Sequence, residues 1–178
     1  QNLIDGNQSW VAISQEFGSN VDHLKIAPSD SNTMYAAVGS SLFKTTSGGV
    51  SGNWSTLTGF AGAINSIAIH PTNPNKLAIA TNSSNKIYVS TDGGATWNSM
   101  LYDLPSFAAL ALVWDTTYDE DILYLGSNKL HRSLDKGDSW EAISNDLTTG
   151  GKKGNVAYGT LTTLSESPFQ FGLLYTGS

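Results

Sequence analysis

The chain has 178 residues and a formal net charge of −6, with 13% charged residues, 18 glycines and no cysteine. That composition suits one turn-rich β domain better than a helical one. It excludes disulfides and thiolate–metal sites, a membrane-spanning helix of roughly 18 apolar residues, and a basic surface that neutralises nucleic-acid phosphates.

Taken in order, residues 1–14 read as the end of one strand, a turn at Asp5-Gly6-Asn7-Gln8-Ser9-Trp10, and the strand that follows. Residues 21–26 alternate apolar and polar side chains like a half-buried strand, and residues 28–32 form a turn. Strands follow at 34–38, 41–45 and 54–57. The next stretch repeats this order, with strands at 64–69, 77–80, 86–90 and from Trp97, and a turn at 70–75. A third has strands at 108–113, 122–126, 129–133 and from Trp140, with a turn at 115–121. After a Gly- and Thr-rich loop at 145–158, residues 161–165 and 173–176 read as two more strands around a turn at 168–172.

One turn recurs in these units. Ser90-Thr91-Asp92-Gly93-Gly94-Ala95-Thr96-Trp97 and Ser133-Leu134-Asp135-Lys136-Gly137-Asp138-Ser139-Trp140 share the pattern Ser-x-Asp-x-Gly-x-(Ser/Thr)-Trp. In the first of these the aspartate accepts backbone N–H groups just ahead of it, Gly93 and Gly94 supply the positive φ angles, and the Trp covers the turn. Asp5 to Trp10 is the second half of a copy; Ser47-Gly48-Gly49 followed by Trp54 is a worn one. Trp10, Trp54, Trp97 and Trp140 are 44, 43 and 43 residues apart. Such a period is that of a four-stranded propeller blade.

The pattern resembles the Asp-box, or BNR repeat, of sialidases, xyloglucan-degrading glycoside hydrolases and sortilin-type receptors. With Leu123-Tyr124-Leu125-Gly126-Ser127 and Leu173-Leu174-Tyr175-Thr176-Gly177, it is similar to secreted bacterial proteins described as sortilin-like or BNR-repeat glycosyl hydrolases. The resemblance implies an all-β propeller, or a segment of one, built of four-stranded antiparallel blades with the Asp-box between the third and fourth strands. About four blades' worth is present: residues 1–14, whole blades at 15–58, 59–101 and 102–144, and a loop with two strands at 145–178. The expected structural residues of the turns are Asp5, Trp10, Ser47, Trp54, Ser90, Asp92, Gly94, Trp97, Ser133, Asp135, Gly137 and Trp140. Two arrangements follow for the terminal half-blades. They pair into a fourth blade of a small ring, or they abut the remainder of a larger parent protein, which is the preferred reading.

The same residues bear on chemistry. Sialidases hold the substrate carboxylate with three arginines, and this chain has one, Arg132. A glycoside hydrolase needs two carboxyl groups about 5–10 Å apart. The candidates are Asp103, Asp115, Asp119, Glu120, Asp121, Asp146 and Glu166, and no spacing pairs two of them. Residues 115–121 read better as a solvated acidic turn. Trp114, in the repeat position of Ile69, is either a platform for a sugar ring or blade-to-blade packing; with Asp115 it is the candidate binding position. His70 and His131 lack metal-ligand spacing, and Gly150-Gly151-Lys152-Lys153-Gly154 lacks the Walker pattern. The expectation is a secreted or cell-surface bacterial propeller that binds a protein or glycan, with no cofactor or metal and no catalytic residue. The alternative is part of a hydrolase acting on a β-glucan.

Overall fold

The computed structural model describes residues 12, 14–83, 87–100, 111–115, 122–148 and 161–177. Asp5 and Trp10, and any pairing made by residues 1–11, lie outside them.

Every described element is a β-strand, and successive strands pair antiparallel with their chain neighbours. β1 (His23–Ala27), β2 (Asp30–Val38), β3 (Ser41–Thr45) and β4 (Ser55–Leu57) form one four-stranded sheet. A second contains β5 (Ile64–Ile69), β6 (Leu77–Thr81), β7 (Ile87–Ser90) and β8 (Asn98–Met100). The third contains β9 (Ala111–Trp114), β10 (Leu123–Gly126), β11 (Leu130–Ser133) and β12 (Glu141–Ala142). β13 (Thr163–Glu166) and β14 (Leu174–Gly177) pair as a hairpin. The alternation read from the sequence therefore places each strand to within a few residues.

The first strand of each sheet packs on the first strand of the next, β1 on β5, β5 on β9 and β9 on β13. This is the radial order of propeller blades, and the protein is a segment of a β-propeller about four blades long. β13 is not packed on β1 in the same way. Leu24 and Ile26, on the face of β1 that no described blade covers, are each 51% exposed. Their repeat equivalents Ile67 and Ile69 are 1% and 8% exposed. The described blades thus form an open arc.

Side chains alternate across a strand, so each blade has two faces. One face of the first blade sets Ala27, Tyr35, Ala37 and Leu42 against Ile67, Ile69, Leu77 and Ile79 of the second. The second blade's opposite face sets Ala68, Ala78, Ala80 and Val89 against Leu112, Trp114, Leu123 and Leu125 of the third. Small side chains face large ones, which lets sheets approach closely and fills the seam. Tyr35 Oη donates across the first seam to Pro74 O at 2.9 Å. Lys44 Nζ crosses it too, to Asn75 Oδ1 at 3.3 Å and Gly93 O at 3.2 Å.

The turns at 90–97 and 133–140 are built alike. Ser90 Oγ donates to Asp92 Oδ1 at 2.8 Å and accepts from Gly94 N at 2.8 Å. Thr96 donates its N–H to Asp92 Oδ1 at 2.9 Å and its hydroxyl to Oδ2 at 2.6 Å. Ser133, Asp135, Gly137 and Ser139 repeat these four bonds at 2.8, 2.7, 2.8 and 2.6 Å. Gly93 and Gly94 have φ of 75° and 90°; in the other turn Lys136 takes 61°, beside Gly137 at 99°. The worn copy keeps Gly48 and Gly49 at 67° and 86°. There Ser47 bonds the Thr45 hydroxyl at 3.1 Å where the others hold an aspartate. The tryptophans just precede β4, β8 and β12, but they are not equally enclosed. Trp54 is buried, whereas Trp97 and Trp140 are half-buried, so the shared repeat position does not give equal enclosure.

Hydrogen bonds from the Thr96 hydroxyl, the Thr96 N–H and Ser90 hold the Asp92 carboxyl down at about 2. The ionised form is the one the turn binds. Its contribution is therefore whole above the ordinary value of 3.8 and is lost as the pH falls through about 2. Asp92→Asn is expected to melt lower than the parent at pH 5, and to lose less on acidification from pH 4 to 2. Thermal melts across that range check this; a variant with the parent's acid slope would assign the loss to other groups.

Candidate functional site

The residues with chemical potential lie where the first strands of successive blades end. The N–H groups of His70, Asp115 and Ser167 donate to Lys76 O, Ile122 O and Leu173 O, each at 2.9 Å. These three residues are thus equivalents, and the residues before them, Ile69, Trp114 and Glu166, are equivalents on the opposite face. Each seam brings one kind against the other. Ala27 meets Ile69 in the first. The His70 and Trp114 rings meet edge-on at 5.3 Å in the second. In the third, the two positions are held by Asp115 and Glu166, and the Asp115 carboxyl acts electrostatically on that of Glu166.

Trp114 is 2% exposed and packs within the seam cluster, so its ring face is taken by protein. Asp115 is 1% exposed, which corrects the reading of a solvated turn beginning there. In repeat register it aligns with His70, the last inward position of a strand, and not with the turn after it. Residues 116–121, with Asp119, Glu120 and Asp121, lie outside the described residues, as does Asp103.

Glu166 is 8% exposed. Its Oε1 accepts Tyr124 Oη at 3.4 Å and Gly172 N at 3.2 Å. Burial pushes its carboxyl above the ordinary glutamate range; the Gly172 N–H opposes this and the neighbouring Asp115 carboxyl adds to it. The Tyr124 hydroxyl is pushed up to about 12, first by burial and then by the Glu166 charge. Sequence spacing missed this pair. The signal was present all the same, because Glu166 fills the repeat position of Ile69 and Trp114, and a charge at an inward position demands a partner.

The other candidates serve the fold. Asp146 accepts Asn128 Nδ2 at 3.0 Å, Thr148 N at 2.8 Å and Thr148 Oγ1 at 2.9 Å, closing a local turn. His131 Nε2 lies 3.1 Å from Ser127 Oγ, and burial, then the charge of Lys129, lowers the ring below the ordinary histidine range. Arg132 is spent on Glu141 at 2.6 Å. No group of three metal-ligating side chains occurs among the described residues. A shallow groove of about 270 Å³ runs over the first strands, between Lys25 and Ile26, Ile67 and Ile69, and Leu112 and Trp114.

No protein-family model and no curated protein matches the chain. Solved structures do. A GH74 xyloglucanase from Xanthomonas campestris is 19% identical, with a TM-score of 0.65 over 95% of this chain and 29% of that one. An ancestral GH74 enzyme is 25% identical, with a TM-score of 0.59 over 70% of this chain and 18% of that one. YCF48, solved bound to D1 peptide, is 18% identical, with a TM-score of 0.60 over 84% of this chain and 44% of that one. All share the propeller architecture, and the chain spans less than half the length of each.

Proposed function

We propose that this chain is part of a secreted or cell-surface bacterial propeller that binds a protein or glycan without transforming it. In this reading the turns at 90–97 and 133–140 are Asp-boxes of the sortilin-like, BNR-repeat kind, and the remainder of a parent protein completes the ring. The observation that carries the non-catalytic half is the state of the two carboxyl groups brought together, Asp115 and Glu166. Both are buried, at 1% and 8% exposure. Glycoside hydrolysis needs carboxyl groups about 5–10 Å apart with the sugar between them. Carboxyl groups enclosed in this way present no open cleft in which a sugar lies between them. The peptide held by YCF48 supports a peptide as the first ligand to try.

A second reading rests on the 25% identity to an ancestral GH74 enzyme, namely a segment of a β-glucan hydrolase whose carboxyl pair is completed elsewhere. Incubation with xyloglucan, mixed-linkage glucan and sialyllactose separates the two. The expected result is no release of reducing sugar or sialic acid above the blank. Turnover in pure protein that disappears on changing one carboxylate would establish the hydrolase.

A further inference from the structure

Each seam joins a forward side to a rear side, and the two ends of the arc leave one of each open. On the forward side, the second-strand residues opposite Lys25, Ala68, Val113 and Ser165 are Tyr35, Ala78, Tyr124 and Tyr175. Tyr35 and Tyr124 are buried, and their hydroxyls cross to Pro74 O and Glu166 Oε1 of the unit that follows. Tyr175 is 59% exposed, and its hydroxyl has no hydrogen-bond partner among the described residues. On the rear side, Ile67, Ile69, Leu112 and Trp114 are at most 8% exposed beneath the preceding blade, whereas Leu24 and Ile26 are each 51% exposed. We propose that the two open sides mate between copies: the β13–β14 hairpin of one copy docks on β1 of a second, and two copies close into one ring.

The chain's own seams name the occupant. Three times, with β1 on β5, β5 on β9 and β9 on β13, a rear side is covered by a forward side of the same repeat. The rear side of the first blade is furnished for such a neighbour. Phe17 stands edge-on to Trp54 at 5.4 Å, as Phe60 stands to Trp97 at 5.4 Å. Phe60 and Trp97 pack along the first seam, so Phe17 and Trp54 mark the line of another. Ile26 pairs with Met34 as Ile69 pairs with Leu77, so the connections 27–33 and 70–76 are equally long and Ser31 holds the place of Pro74. A hairpin docked in this register turns the Tyr175 hydroxyl toward the Ser31 carbonyl, as Tyr35 is turned toward that of Pro74. It also takes Leu24 and Ile26 out of water.

The contact is heterologous, so it ends in a closed assembly only when the copies complete a full turn. Each copy sets four first strands, β1, β5, β9 and β13, around the axis. Two copies make a ring of about eight, the upper end of the usual propeller range. The seam then forms twice, and its second junction is intramolecular, which strengthens the first. In a larger parent these are the sides that its other blades take; in the chain by itself the second copy stands in their place. The pairing rests on the open arc of the reading above and is independent of what the propeller binds.

Sedimentation equilibrium on the full chain tests this by mass alone, apart from any ligand or turnover. The expected result is a shift with concentration from 18.9 kDa to twice that mass. Ile26→Lys and Tyr175→Lys each set a charge in the seam, at positions exposed in a single copy. Each is expected to weaken the association by more than about tenfold, with the strand signal of circular dichroism kept; Leu24→Lys replaces the first if it folds poorly. An equimolar mixture of the two variants is expected to regain the dimer in part. There the intact hairpin of the Ile26→Lys copy meets the intact β1 of the Tyr175→Lys copy. A parent that stays monomeric up to millimolar concentration would overturn the pairing, as would folded variants that associate like the parent. A mixture that stays monomeric would overturn the head-to-tail arrangement, and a ladder of larger oligomers would overturn closure at two copies.

Discussion

Trp54→Ala is expected to destabilise the protein by roughly 3–5 kcal/mol, the range for emptying a buried aromatic position. Trp54 is 8% exposed and packs with Met34, Ala36 and Phe43. Phe17 stands edge-on to it at 5.4 Å and stacks on Phe43 at 4.5 Å. Its indole N–H donates to Gly49 O at 3.3 Å, so truncation leaves a cavity and strips a carbonyl of its donor. Urea denaturation checks this, with Trp97→Ala as the internal control. Trp97 is half-buried at the same repeat position, and its loss should be the smaller. Equal losses would mean that the turn, and not the enclosure, sets the cost.

Gly94→Ala should cost roughly 2–6 kcal/mol, because two effects act together. At φ 90° a side chain is strained, which costs about 1–3 kcal/mol. A Cβ there would also run into the Leu57 side chain of the preceding blade and lie 3.3 Å from Trp97 Cζ2, an overpacking of about 1–3 kcal/mol. Gly18→Ala is the comparison, since its φ is 81° and a Cβ there meets nothing within 4 Å. A similar loss for both would leave backbone strain as the whole explanation; the larger loss at Gly94 measures the seam.

The strands were legible in the sequence because each follows a local rule: period-2 alternation, turn residues at the ends, and a fixed interval between tryptophans. β3 (Ser41–Thr45) and β5 (Ile64–Ile69) coincide with the stretches read from pattern alone. The hydrogen-bonded logic of Ser90, Asp92, Gly94 and Thr96 was legible for the same reason, since all its partners lie within four residues. What a single strand's pattern does not encode is which blade face meets which. Asp115 was read as solvated because an acid beside a turn usually is. Its burial at the end of β9, at 1% exposure, reflects surroundings that its own strand does not encode. Trp114 was ambiguous for the same reason: the ring of His70 and the seam cluster, from the blade before, set its surroundings.

The order of strands within each sheet bears on how the chain reaches this state. In all three four-stranded sheets every strand pairs with its immediate neighbour in the chain. No described pairing has to wait for a distant segment, so the ordering entropy of each loop closure stays small. Hairpins of this kind form in about 1–10 μs, and topologies rich in such short-range contacts fold faster than Greek-key sandwiches of similar size. The side-chain hydrogen bonds of the 90–97 and 133–140 turns lie within that early, local step. The seams, which join residues some forty positions apart, are the contacts left for the slower docking of one finished blade on the next.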